Sequence, residues 1–67
     1  MDITEEMFLD TKEISIDLTY LQPRIVMMDG KREVICVNCK DKGSAFELFG
    51  QLMEKWNEVK RLSAKNT

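Results

Sequence analysis

Histidine is absent from this chain, and cysteine, glycine and proline are scarce, at two, three and one residues. Without an imidazole, nucleophile and base arrangements fall to carboxylates and lysines, and these form no recognisable cluster. The same absence leaves Cys36 and Cys39 as the whole cysteine and histidine set, too few for the four ligands of a structural zinc site. Cys36-Val37-Asn38-Cys39 is a lone C-x-x-C, and on a strand residues three apart point to opposite faces. It reads as two small reduced thiols, with a redox pair or a zinc site shared across a dimer as the alternatives. No glycine-rich loop is present to cradle a phosphate. These absences point away from an enzyme, and no cofactor is expected.

Long apolar runs are missing too, and none comes near the roughly 20 residues that span a bilayer. The start Met1-Asp2-Ile3-Thr4-Glu5-Glu6 is acidic where a signal peptide is basic. Secreted domains of this size carry larger, evenly paired cysteine sets. A cytoplasmic protein without a membrane segment is therefore expected. With 67 residues there is room for one domain, residues 1–67, and the apolar fraction of 43% suffices for a core. No repeat, low-complexity tract or linker divides it.

What is present is unevenly placed. Residues 1–19 hold Asp2, Glu5, Glu6, Asp10, Glu13 and Asp17 against Lys12 alone, a net charge of −5. Arg24, Lys31, Arg32, Lys40 and Lys42 then outnumber Asp29, Glu33 and Asp41. One reading is an ordinary mixed surface with a solvated acidic arm. The other is an acidic face that steers toward a basic partner and repels nucleic acid.

Ile3, Met7 and Phe8 fall at helical spacing, so residues 4–9 form either a short helical turn or an extension of the next strand. Ile14, Ile16, Leu18 and Tyr20 alternate with Ser15, Asp17 and Thr19, which predicts a half-buried strand over 13–20 that Gln22-Pro23 breaks. Residues 25–28 and 33–39 flank Asp29-Gly30 and predict a hairpin. Ser44 and Glu47 have capping-box spacing, with Gly43 at the entry. Phe46, Phe49, Leu52, Met53, Trp56, Val59 and Leu62 then make one apolar stripe of a long helix. Opposite them Gln51, Glu54, Lys55, Glu58 and Arg61 face water, and Lys60, Arg61 and Lys65 suit the helix C-terminus. Gly50 interrupts this helix, either for close packing on the sheet or as a tolerated defect.

The expected fold is α+β: a three-stranded antiparallel sheet (βββα) packed on one long C-terminal helix. Both hairpin strands are apolar on both faces, in Ile25-Val26-Met27-Met28 and Val34-Ile35-Cys36-Val37. One helix covers one face. The other is either covered by the N-terminal segment with Met7, Phe8 and Leu9, or is an interface with a partner or a second copy. The bases around the hairpin make a nucleic-acid module the competing expectation, against which stand a sequence pI near 5.0 and the lack of a stacking platform.

The stretch Arg24-Ile25-Val26-Met27-Met28-Asp29-Gly30-Lys31-Arg32-Glu33-Val34-Ile35, with the helix ending in Trp56-Asn57-Glu58, resembles part of a small prophage-encoded anti-CRISPR family that inhibits the type II effector nuclease. The resemblance implies a bacterial or phage-infected host cytosol and inhibition by acidic groups that imitate DNA. Asp29 and Glu33 match positions near its hairpin, whereas Lys31 and Arg32 depart from it in charge, so the acidic segment Asp2–Asp17 would supply the imitation. The expected function is thus a small protein-binding inhibitor, with a nucleic-acid-binding or transcription-regulating module second and a homodimeric structural protein third. The candidate partner-binding residues are Glu5, Glu6, Asp10, Asp17, Met27, Met28, Asp29, Lys31, Arg32 and Glu33.

Overall fold

A computed structural model describes residues 3–19 and 21–65. The expectations for Asp2 and Tyr20, and for the side chain of Lys65, lie outside them. The elements run α1 (Glu5–Asp10), β1 (Glu13–Asp17), β2 (Arg24–Asp29), β3 (Arg32–Asn38) and α2 (Lys42–Lys65). The strands form one antiparallel sheet in the order β1-β2-β3. This is the α+β arrangement expected, with the N-terminal turn realised as a helix.

Each element starts and stops for a local reason. The Thr4 hydroxyl accepts the Met7 amide hydrogen and opens α1. Thr11 closes it, its N–H reaching the Met7 and Phe8 carbonyls while its hydroxyl donates to Met7 O at 2.6 Å. β1 is shorter than the alternation predicts. The Asp17 carboxylate accepts the Thr19 N–H at 3.0 Å and the Thr19 hydroxyl, which turns the chain and leaves Leu18 exposed before Pro23 is reached. The hairpin turn is Gly30-Lys31, one residue later than expected. Asp29 pairs with Arg32 in the ladder, and Gly30 takes φ +64° at the first turn position, as a type II′ turn requires.

The start of α2 is also displaced. Asp41, not Ser44, is the cap: its Oδ1 accepts the Ser44 N–H at 2.7 Å and its carbonyl the Ala45 N–H at 3.0 Å. Gly43 therefore lies in the first turn. The buried line of α2 is Ala45, Leu52 and Val59, flanked by half-buried Leu48, Phe49, Met53 and Trp56. Phe46, about 120° around the helix from that line, is 53% exposed, and Leu62 is 48% exposed. The expected stripe therefore holds from Phe49 to Val59, gains Ala45 and Leu48, and loses Phe46 and Leu62 at its ends. Gly50 is exposed and a Cβ there would touch nothing, so it is a tolerated defect and not a packing device.

Both helices pack on the same face of the sheet. Phe8 of α1 joins Ile14, Ile25, Met27, Val37 and the buried residues of α2 in one core, and Trp56 Nε1 donates to Thr11 O at 3.2 Å. A bulge in β3 adds to this side. Met27 pairs with Ile35 and Met28 with Glu33, so Val34 is the extra residue, and Val34 and Ile35 both pack against the core.

Candidate interaction surface

The register defines what the helices leave uncovered. Ile25 and Met27 have 0% exposure, so their neighbours Arg24, Val26 and Met28 point to the far side of β2. Cross-strand partners share a face, which sets out three rows: Glu13, Met28 and Glu33; Ser15, Val26 and Cys36; Asp17, Arg24 and Asn38. The result is a small apolar centre of half-exposed Val26, Met28 and Cys36. Glu13 and Glu33 hold one end and an Asp17–Arg24 ion pair at 3.2 Å the other. Past that last row the surface continues into an open depression beside exposed Leu21. Among the described residues the N-terminal segment, from Ile3 to Asp10, does not fold over this face, because α1 packs with α2.

The ten residues singled out in the sequence do not assemble into one site. Met27 is a core residue, fully buried and unavailable to a partner, since the strand period turns it inward and Met28 outward. Glu5 and Glu6 lie in the first turn of α1, exposed, where they suit the positive end of the helix, and Asp10 is exposed in its last turn. Asp17 is at the opposite end of the sheet from Asp29, Lys31, Arg32 and Glu33. Asp29 ties the hairpin end together, with Arg32 Nη2 at 3.0 Å and Lys12 Nζ at 3.4 Å. Arg32 hydrogen bonding, then Lys12, holds its carboxyl below the usual aspartate range. The Asp17 carboxyl is lowered chiefly by the Thr19 hydroxyl and amide, then by Arg24. Lys31 is exposed in the turn. Of the set, Met28 and Glu33 share the uncovered face with Asp17. Glu13, Val26 and Cys36 complete it and were not singled out, although the pairing Ser15–Val26–Cys36 follows from the alternation once a register is known.

Other chemistry is limited. Cys36 is half-exposed on the uncovered face and Cys39 is buried on the helix side, both as free thiols. Among the described residues no group of three metal-ligating side chains comes together, and no helix is long and apolar enough to cross a membrane. A smaller cleft between α1 and α2 is lined by Leu9, Val59 and Leu62 beside Glu5, Lys55 and Glu58. Over the described residues the chain is thus an α+β unit of two helices and three strands, with one sheet face that they leave open. Comparison with known proteins returned no matching family, curated protein or solved structure.

Proposed function

We propose that this chain is a non-catalytic protein-binding module whose recognition surface is the uncovered sheet face. The observation that carries the reading is the half-exposed trio Val26, Met28 and Cys36, left open between acidic residues while two helices crowd the other side. Apolar centres with polar rims are what protein interfaces bury. Small size and the hairpin's resemblance favour an inhibitor that acts by occupying a host protein, a nucleic-acid-binding effector among the candidates. The charge on the face disfavours direct binding to nucleic acid. Glu13, Asp17 and Glu33 meet a single base, Arg24, and Arg32 at the hairpin is engaged by Asp29.

Capture from a bacterial lysate on the immobilised chain tests this. A protein retained by the parent should be lost with Met28→Asp and kept with Leu62→Asp, which alters the other side. The converse pattern, or binding to duplex DNA that weakens steeply with salt, would overturn the reading and favour the nucleic-acid module.

A further inference from the structure

The size and charge of the uncovered face restrict what can sit on it. Three strands at about 4.8 Å spacing and five residues at about 3.3 Å give a patch roughly 14 Å by 17 Å, near 240 Å² in plan. A stable interface draws roughly 800 Å² from each partner, so this face alone is too small for a stable dimer of two copies and suits a narrow, weakly bound occupant. A helix fits that outline. It is about 10 Å across with its side chains and climbs about 16 Å in three turns, so one helix covers the patch along its length. On the opposite face α2 covers β1 and β2 with Ala45, Leu52 and Val59, while α1 completes the cover over β3.

The charges specify the flanks. Glu13 and Glu33 stand on either side of Met28 in one row, on strands that neighbour β2 from its two sides. An apolar side chain seated against Met28 would therefore pass between two carboxylates carried on outer strands about 10 Å apart. At the other end Asp17 and Arg24 compensate each other. We propose that the face receives a basic amphipathic helix of about three turns from the partner protein, its apolar stripe on Val26, Met28 and Cys36 and its basic flanks on Glu13 and Glu33. This rests on the reading of the face as the recognition surface and adds the occupant. Leu21, fully exposed past the polar row of Asp17, Arg24 and Asn38, offers a separate apolar contact to a longer helix.

The test titrates the isotope-labelled chain with synthetic peptides of about twelve residues, followed by amide shifts. One is a stapled helix with a leucine stripe flanked by lysines, the second has glutamates in place of the lysines, and the third is the lysine sequence with prolines that forbid a helix. The lysine helix should shift Ser15, Val26, Met28 and Cys36, and bind at least about tenfold tighter than either of the others. Glu13→Lys with Glu33→Lys should weaken it by about fivefold. Met28→Asp should abolish it, with Trp56 fluorescence reporting that the fold persists and Val26→Thr as the milder variant. Equal binding of the proline peptide to the same residues would overturn the helix while leaving the face as the recognition surface. Shifts confined to Leu9, Val59 and Leu62 would overturn both. Self-association that shields Cys36 from a maleimide would replace the helix by a second copy.

Discussion

Thr11 joins three parts of the molecule through its own polar atoms and the amide that follows it. Its N–H and hydroxyl close α1 on Met7 and Phe8, and its carbonyl receives the Trp56 indole N–H from α2. The next amide, Lys12 N–H, bonds Met28 O at 2.7 Å and enters the ladder. Thr11 is fully buried, so a carbonyl left without its partner there costs about 1–3 kcal/mol. Trp56→Phe keeps most of the ring contact and removes that donor. It should lower the melting temperature by about 5 °C or more, since 1 kcal/mol is worth about 4–8 °C in a domain this small. An unchanged melt by circular dichroism would show that water replaces the indole. Phe49 and Trp56 remain only half-buried, and Lys60 Nζ lies 5.0 Å from the Trp56 ring centre. Truncating either to alanine therefore costs less than the roughly 3–5 kcal/mol lost with a fully buried aromatic.

At the scale of elements, β2 separates core from surface within two adjacent methionines. Met27→Ala opens a cavity in the core, where Met27 is fully buried, and should cost about 2–5 kcal/mol, comparable to the whole stability of a small domain. Met28→Ala, on the open face, should stay within about 1 kcal/mol. Equal melts for the two variants would mean that the register is wrong by one residue. In α2 the exposed defect can be repaired: Gly50→Ala should add about 0.5–1 kcal/mol, read as a rise of a few degrees in the melt. These elements also show how far the sequence could be read. Alternation over Glu13–Asp17 shows a period of two without partners, and the unbroken apolar run Ile25–Met28, bounded by Pro23 and Gly30, reads as a strand by its length and flanks. The boundaries slip where a polar side chain competes with regular structure, at Asp17 and again at Asp41, since the same residue types suit several turn positions. The β3 run Val34-Ile35-Cys36-Val37 looks two-faced, yet the bulge sends Val34 and Ile35 inward together. That bulge leaves no periodic signature. Nor does composition tell which face the short α1 chooses, so the open surface was legible only as a question.

Across the whole molecule three carboxylates hold the joints: Asp17 at the end of β1, Asp29 at the hairpin, and Asp41 at the start of α2. Each has its carboxyl lowered from the ordinary value of 3.8, by Thr19, by Arg32, and by the Ser44 amide respectively. A lowered value in the fold means that the unfolded chain binds more protons as acid is added. The stability these contacts contribute is therefore fully present above the ordinary aspartate range. It drains away as the pH falls through the lowered native values. All three groups are solvated, so each share is modest and screened by salt. Acting at three separate joints, they should still make the melting temperature fall between about pH 5 and pH 2, where the unfolded aspartates take up protons. Replacing Asp17, Asp29 and Asp41 with asparagine keeps hydrogen-bonding groups of similar shape but removes the titration. The triple variant should melt lower than the parent at neutral pH and show a flatter descent into acid. A descent as steep as the parent's would assign the acid lability to other carboxylates and leave these three as surface ornaments of the fold.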